Sequence, residues 1–439
     1  QRALCYQRAK QQVDTRPFGT QIDTSQVGYE WINHSLAPHP PEEVNSRIDI
    51  GGPDCKSPYS ASILNISGMS YGALSSAAVL ALNGGARLGH FAHNTGEGGL
   101  SGFHLQPGGD LIWQIGTGYF GCRDRKGYFD PVVFRDKAQH PHIKMIELKL
   151  SQGAKPGHGG ILPAAKITPE IAELRGVPMG EDALSPPAHS AFSTPIELCH
   201  FIAKLREESG GKPTGLKLCI GKRREFVSIA KAMLETGILP DFISVDGGEG
   251  GTGAAPMEFA NRMGTPLREG LIFVHNVLTG FGLRKHIRIN ASGRIITAFD
   301  LISKLCMGAD YCSSARGMMF ALGCIQALKC NTNECPTGVT TSDPYLTRGL
   351  VPARKEQRVF HFHERTIFAA KELIGAMGIS HTTQLRPWHL NRRVGHTEVR
   401  HYGELFNYLE EGVLLDETTV PQDYLRAWKE ARADSFKAN

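Results

Sequence analysis

Glycine in this chain falls in bursts, and each burst follows a short apolar run and precedes a helical stretch. The run 61–66 leads into Ser67-Gly68-Met69-Ser70-Tyr71-Gly72, and 90–92 leads into Asn94-Thr95-Gly96-Glu97-Gly98-Gly99. The run 143–150 leads into Ser151-Gln152-Gly153-Ala154-Lys155-Pro156-Gly157, and 216–220 into Gly221. The run 242–245 leads into Asp246-Gly247-Gly248-Glu249-Gly250-Gly251-Thr252-Gly253, 287–290 into Ala291-Ser292-Gly293, and 310–312 into Ser313-Ser314-Ala315-Arg316-Gly317. Between these junctions lie amphipathic stretches. Residues 194–209 carry Ile196, Leu198, Phe201, Ile202 and Leu205 on one face, and 225–236 carry Phe226, Ile229, Ala230, Met233 and Leu234. Apolar runs alternating with amphipathic helices specify a parallel sheet. Seven such units, with an eighth strand expected at 111–115, favour an α/β (β/α)8 TIM barrel over an open doubly wound sheet.

We expect three regions: an irregular N-terminal wrap over 1–60, the barrel over 61–342, and a helical C-terminal extension over 343–439. In the last, 354–377 reads as an amphipathic helix with Val359, Phe360, Ile367, Ala370, Leu373 and Ile374 inward, and 423–437 as a charged helix.

Composition excludes several classes. The 439 residues hold 50 glycines without a three-residue period, so collagen is ruled out. A net charge of +5 is too small to argue for nucleic acid or a membrane surface. The longest apolar stretch, 317–328, is too short to span a bilayer. No signal-peptide pattern is visible at the start as given. Seven of the ten cysteines are scattered, which suits a reducing compartment. The expectation is a cytoplasmic protein, with a membrane-anchoring segment upstream of Gln1 left open.

Cys324, Cys330 and Cys335 stand apart, spaced C-x5-C-x4-C and followed by Pro336. Thiolates are soft ligands for iron–sulfur or zinc, and zinc sites show paired ligands at closer spacing. Three thiolates with a closing proline suit a cluster with three ligated irons; three unligated buried thiols are the alternative. The 248–253 burst and the turns at Ser292-Gly293 and Ala315-Arg316-Gly317 suit a phosphate, because glycine lets several backbone N–H groups point at one anion. Neither a dinucleotide fingerprint nor a Walker pattern is present, so a mononucleotide fits better than NAD or ATP; tight turns with no ligand remain the plain reading. Gln152, Lys155 and His158 share one loop and Glu97 lies in another. Lys155 and Glu97 form an acid–base pair if both face the barrel mouth, and are exposed loop charges if they do not. Lys217, between Leu216 and Leu218, points into the barrel or at its top, and a buried ammonium there needs an anion such as a reduced flavin ring.

The runs Ser67 to Gly72, Asn94 to Gly99, Gln152 to Gly157, Gly250-Gly251-Thr252-Gly253-Ala254 and Cys324 to Gly338 resemble, in order, the synthase domain of glutamate synthase. The resemblance covers residues 60–342, and the whole chain looks closer still to the free-standing FMN-binding proteins of that family. It implies FMN and a [3Fe-4S] cluster, with Cys324, Cys330 and Cys335 as cluster ligands. Met69, Ser70 and Lys217 would lie against the flavin. Gly251, Thr252, Gly253, Ser292, Gly293, Ala315 and Arg316 would complete the cofactor site, the last four around the phosphate. Gly72, Gln152, Lys155 and Glu97 would face a 2-oxoacid and its imine. The implied reaction reduces 2-iminoglutarate, from 2-oxoglutarate and ammonia, to L-glutamate.

This sequence departs from the family pattern in places. Ala291-Ser292-Gly293 stands where the family has Asp-Gly-Gly, and Ala315-Arg316 where it has Gly-Thr. The family's amidotransferase domain starts at an N-terminal cysteine; the sequence as given reads Gln1 there, and the expectation is that this domain is not part of the chain. The expected partners are therefore a 2-oxoacid, ammonia or an amine, a ferredoxin or reductase subunit as electron donor, and a separate amidotransferase subunit as one source of ammonia. No nucleic acid is expected, and a homo-oligomer is left open. Two other readings stand beside this one: an N-substituted glutamate synthase or other amino-acid oxidoreductase on the same barrel, and a non-catalytic redox sensor or electron-transfer subunit.

Overall fold

Eight parallel strands close on themselves in chain order in the computed structural model, which describes residues 1–253 and 255–437. They are β1 (Leu64–Ile66), β2 (His93–Asn94), β3 (Leu111–Ile115), β4 (Ile143–Lys149), β5 (Thr214–Leu218), β6 (Phe242–Asp246), β7 (Arg288–Ser292) and β8 (Tyr311–Ser314). The ring closes where β4 pairs with β5 and β8 pairs with β1. This is the expected (β/α)8 barrel, including the strand at 111–115. Around it run α1 (Ser76–Gly89), α2 (Gly102–Leu105), α3 (Pro131–Ala138), α4 (Pro195–Glu208), α5 (Arg223–Thr236), α6 (Leu267–Gly280), α7 (Ala298–Cys306), α8 (Arg316–Leu322) and the long α9 (Pro352–Ala376).

Side-chain alternation along the strands builds the interior in layers. Ile112, Met145, Phe242 and Tyr311 form an apolar layer near the strand starts, and Ile48, Ile50, Tyr59 and Ala61 pack against it. The last four come from a hairpin in which Arg47–Ile50 pairs antiparallel with Tyr59–Ser62 and plugs that mouth. Gly215 of β5 leaves room for the Phe242 ring and carbonyl, which any Cβ there would strike. Above lies a polar layer of Asn94, Gln114, Glu147, Ser244, Asn290 and Ser313, all buried. Lys149, Lys217, Asp246 and Ser292 follow at the strand ends.

Several local expectations shift. The run 61–66 divides between the plugging hairpin and β1. The strand after α1 starts at His93 rather than at 90, because His90 closes the helix in the left-handed conformation (φ 52°). The N-terminal region is less irregular than expected. It holds a helix, Arg2–Ala9, and a strand, Glu30–Ile32, that pairs with Leu390–Arg393, which in turn pairs with Val399–His401. Glu30 ties these parts together by accepting from Arg268 at 2.9 Å, from Tyr402 and from Arg392.

The inward face of α9 is rotated. Val359, Phe362, His363, Thr366, Ala370 and Ile374 are buried, whereas Leu373 is exposed and Phe360 and Ile367 are half-buried. Two features set that face. Gly84 and Gly85 of α1 let α9 approach so closely that a Cβ at Gly85 would meet Val359 at 2.6 Å. His363 reaches β1 through Nε2, 2.9 Å from the Leu64 carbonyl, and stacks on Phe91 with ring centroids 3.7 Å apart. The final helix is Gln422–Glu430, shorter than 423–437, because the chain turns to let the Ala433 carbonyl accept from the Ile196 N–H of α4. No helix among the described residues is long and apolar enough to cross a membrane.

Candidate active site

At the C-terminal ends of the strands the loops enclose a cavity of about 540 Å³. Its floor is the upper barrel interior: Gln114, Lys149, Lys217, Asp246, Ser292 and Ser313. Below that floor Glu147 is 1% exposed and accepts three hydrogen bonds. Asn94 Nδ2 and Gln114 Nε2 donate to its Oε1 at 2.8 and 2.6 Å, and Ser244 Oγ donates to its Oε2 at 2.6 Å. Lys217 Nζ lies 3.5 Å from Asp246 Oδ2. Burial pushes the Lys217 ammonium down, but Asp246 and Glu147 outweigh it and hold the group above the usual lysine range. The buried lysine thus has its anions within the protein, where the strand pattern alone suggested a flavin ring.

One side of the cavity carries the acid–base candidates. Lys149 Nζ lies 2.8 Å from Glu97 Oε1 and donates to Gln152 Oε1 at 2.9 Å. Burial raises the Glu97 carboxyl, yet Lys149, Arg175 and Lys155 together bring it below the usual carboxylate range. Lys155 is 2% exposed, and its ammonium makes no hydrogen bond within the protein. Burial lowers its pKa, Glu97 opposes this, and Lys149 reinforces it. Arg175 arrives from the helix Pro169–Arg175 in the long excursion between β4 and α4. Its NH2 donates to the Tyr71 carbonyl at 3.1 Å, its Nε has no partner, and burial brings it down to about 10. Two cations with open valences therefore face one carboxylate that Lys149 already holds. Lys155 and Glu97 converge on the barrel mouth rather than standing as exposed loop charges.

Another stretch of the cavity wall is formed by Gly251, Thr252, Gly253, Ser292, Gly293, Arg294, Ala315 and Arg316. Arg316 is pushed down first by burial and then by the like charge of Arg294, whose backbone is left-handed at φ 51°. Neither guanidinium has an ion-pair partner among the described residues. Two unpaired guanidiniums beside glycine turns make a cradle that fits a phosphate. Ala254, the last residue of the Gly250 motif, lies outside the described residues.

The 324–335 loop also borders the cavity, with all three cysteines in its lining. Burial raises the Cys324 thiol, and charge on Cys330 or Cys335 raises it further, so the three thiols lie within electrostatic reach. Burial also raises the Cys335 thiol, but the Thr337 and Thr340 hydroxyls bring it down to about 7. Among the described residues no three His, Cys, Asp or Glu side chains surround a site for a single metal ion. A purely thiol donor set spread along one loop suits a group with several metal atoms, one per sulfur.

Of the residues singled out in the sequence, Met69, Ser70, Glu97, Gln152, Lys155 and Lys217 share this cavity with the phosphate turns and the cysteines. Gly72 does not line it. Gly72 sits behind the wall with φ +99°, where a Cβ would meet Leu162 at 3.1 Å and Arg175 at 3.2 Å. His158 borders a small side pocket that shares Glu97, Lys149 and Gln152 with the main cavity. Sequence reasoning missed Gln114, Glu147, Lys149, Arg175, Asp246 and Arg294. For Glu147 and Lys149 a signal existed: with Met145 they keep the two-residue period of one inward-facing strand side. Arg175 had none.

Residues 42–380 match the model of the conserved region in glutamate synthase. A glutamate synthase large subunit-like protein, YerD, of Bacillus subtilis is 44% identical over 315 residues, which is 71% of this chain and 60% of that protein. The archaeal glutamate synthase (NADPH) of Archaeoglobus fulgidus is 35% identical over 322 residues, 73% of this chain and 60% of that protein. The ferredoxin-dependent glutamate synthase of Cyanidium caldarium is 32% identical over 383 residues, 79% of this chain and 23% of that protein. The chain thus spans about three-fifths of the length of the first two relatives. Among solved structures, mandelate oxidase superposes with a TM-score of 0.48 at 15% identity, covering 85% of this chain and 86% of that one. The family match takes in all eight strands and every residue of the cavity described above, and by it this chain belongs to the glutamate synthase family.

Proposed function

We propose that the chain is an FMN- and iron–sulfur-dependent oxidoreductase that reduces an imine formed from a 2-oxoacid and ammonia or an amine, with 2-iminoglutarate giving L-glutamate as the first substrate to test. The observation that carries the reading is the Lys155 ammonium, buried and without a hydrogen-bond partner, beside an ionised Glu97. A buried cation with open valences is costly unless an anion completes it. The carboxylate of a 2-oxoacid would do so, with Arg175 Nε as the second donor. Glu97, kept ionised, favours a substrate that becomes positively charged, as a protonated imine does. Lys149, held between Glu97 and Gln152, is a proton source beside the nitrogen.

FMN, when bound, would supply the hydride. Arg294, Arg316, Ser292, Gly293 and Ala315 would hold its phosphate, with Gly251, Thr252 and Gly253 beside them. Met69, Ser70 and Lys217 would lie against its ring. Cys324, Cys330 and Cys335 would hold the [3Fe-4S] cluster. The names of the relatives point to NADPH-linked and ferredoxin-linked electron donors. The wall of Leu74, Ile161, Leu162 and Pro163 favours, as a second reading, an amine with an apolar substituent.

The test is direct. Anaerobically purified protein reconstituted with FMN is incubated with 2-oxoglutarate and either ammonium or methylamine, with reduced ferredoxin as donor. Glutamate or N-methylglutamate supports the reading. A flavin that neither 2-oxoacid–amine mixture re-oxidises defeats it. Cofactor extraction that yields no FMN, or zinc in place of iron, overturns the cofactor assignment.

A further inference from the structure

The carbonyl of Lys149 marks the point where β4 leaves the sheet. β3 pairs with β4 only as far as Ile115 opposite Leu148, and the Lys149 carbonyl, one residue further on, takes its donor from a side chain. That donor is His189, from the far end of the excursion between β4 and α4, with Nε2 2.9 Å from the carbonyl oxygen. A carbonyl only accepts, so the imidazole proton sits on Nε2 and Nδ1 is left as an acceptor. The Tyr119 hydroxyl fills that place at 2.9 Å, and its oxygen accepts from the Ala191 N–H at 3.2 Å. The chain from Ala191 through Tyr119 and His189 to Lys149 therefore runs in one direction, which fixes the tautomer.

The imidazole and the phenol are both buried, and neither lines the cavity or its side pocket. His189 stacks on Phe192 with ring centroids 4.9 Å apart, and Phe129 and Phe201 pack edge-on against Tyr119. Tyr119 holds a left-handed backbone (φ 47°) although Gly118 stands beside it. A bulky residue adopts that conformation at a cost and keeps it only where its surroundings over-determine it. Burial brings His189 down to about 4, so it is neutral and gives the carbonyl a donor without adding a cation beside Lys149 and Glu97.

We propose that His189 is a positioning residue for Lys149, fixing the peptide on which the lysine stands so that its ammonium stays between Glu97 and Gln152 as the proton source. A lysine ammonium rides on a flexible stem, and a contact at its tip alone leaves the root free to move. Here both ends are held. His189 and the strand fix the root, and Glu97 and Gln152 fix the tip at 2.8 and 2.9 Å. The long excursion that carries Lys155 and Arg175 is also tied back to its own starting point by this one hydrogen bond. The proposal rests on the imine-reduction reading given above for Lys149.

Competitive acetylation with acetic anhydride, read by mass spectrometry, reports how firmly the Lys149 ammonium is held, whatever the protein turns over. His189→Gln keeps an amide donor at the reach of Nε2, whereas the amide of His189→Asn is too short to meet the carbonyl. Lys149 should label slowly in the native protein, about tenfold faster in H189N, and near the native rate in H189Q. Lys217, held by Asp246 on the same floor, should label equally slowly in all three, and the exposed Lys285 equally fast. With 2-oxoglutarate and ammonium, H189N should lose about tenfold in kcat while KM for the oxoacid moves by less than about twofold, because Lys155 and Arg175 hold its carboxylate. Y119F frees Nδ1 to take the proton and should move both readouts in the same direction by about threefold; it decides the matter where H189N does not fold. Native-like Lys149 labelling in H189N or, failing that, in Y119F overturns the proposal. So does an H189Q protein as impaired as H189N, or faster labelling of Lys149 and Lys217 together, since general loosening of the fold produces both. Labelling that follows the variants in a protein that turns over no 2-oxoacid defeats the substrate reading alone. Turnover whose kcat is indifferent to H189N and Y119F defeats the positioning role alone.

Discussion

Replacing Lys155 with methionine should make the protein more stable and unable to hold a 2-oxoacid. Methionine keeps most of the length and apolar stem of lysine and removes only the ammonium. That ammonium is 2% exposed and lacks any hydrogen bond in the protein. Leaving a buried polar group unsatisfied costs about 1–3 kcal/mol, and more when it is charged. The attraction of Glu97 offsets part of this, so the net gain on substitution should be about 1–2 kcal/mol. Urea unfolding followed by fluorescence of the buried Trp113 measures the gain as a shift of the midpoint at constant slope.

Ligand linkage supplies the second arm. A 2-oxoacid at one hundred times its dissociation constant should stabilise the native protein by about 2.7 kcal/mol and the variant by almost nothing. A pH arm is independent of both. Burial lowers the Lys155 pKa in the folded protein, whereas the unfolded chain keeps its proton up to 10.5. Over the interval between those values the unfolded state binds more protons, so native stability rises with pH, and the variant should lack that increment. A variant less stable by more than about 1 kcal/mol, or one still stabilised by 2-oxoglutarate, refutes the reasoning.

Glu147 should behave in the opposite way. Glu147→Gln keeps the shape but removes the charge beneath Lys217 and one of the acceptors for Asn94, Gln114 and Ser244, at a cost of about 1–3 kcal/mol. Glu147→Ala leaves three donors unpaired and should yield no soluble protein; a Gln variant with an unchanged urea midpoint would contradict this account. Buried histidines should make the protein acid-labile. Burial brings His104 and His189 down to about 4, and His275 and His363 to about 3. Below 6.5 the unfolded chain takes up protons that the fold refuses, so stability falls with pH from 6.5 toward 4, by about 1 kcal/mol per histidine at pH 5.5. The urea midpoint should drop accordingly, and His363→Gln should flatten the profile by one histidine's share; a midpoint constant between pH 7 and pH 5 counts against it.

The barrel was legible because its requirements are local. A strand buried on both sides needs an apolar run, the turn after it needs glycine, and the helix that follows needs one apolar face. These signals lie within a dozen residues of one another, so the alternating pattern and most of the turns facing the cavity could be read directly. The strand at 111–115 forms as read, and the one misplaced, expected at 90–92, was the one with least of its own to show. Strand β2 is two residues long and meets β1 through the single pair Ile66 and His93, so long-range closure defines it more than its sequence does. The face of α9 was misread for a related reason. Hydrophobicity alone points Phe360, Ile367 and Leu373 inward, but Gly84 and Gly85 on another helix decide which side of α9 can come close, and a histidine takes the buried place.

The site divides along the same line. Its phosphate turns and cysteines are contiguous in the chain and could be recognised as motifs. Its electrostatics are not contiguous. Glu97 comes from the loop after β2, Lys149 from the end of β4, Lys155 from the next turn, and Arg175 from a helix in the excursion beyond. What each of these groups does depends on which of the others it meets. Lys149 takes Glu97 and Gln152, and that leaves Lys155 without a partner of its own. The chemistry of the cavity is therefore a property of closure. The chain distributes charges that cannot all be paired internally, and the barrel brings them to one mouth, where an anionic substrate can complete the set.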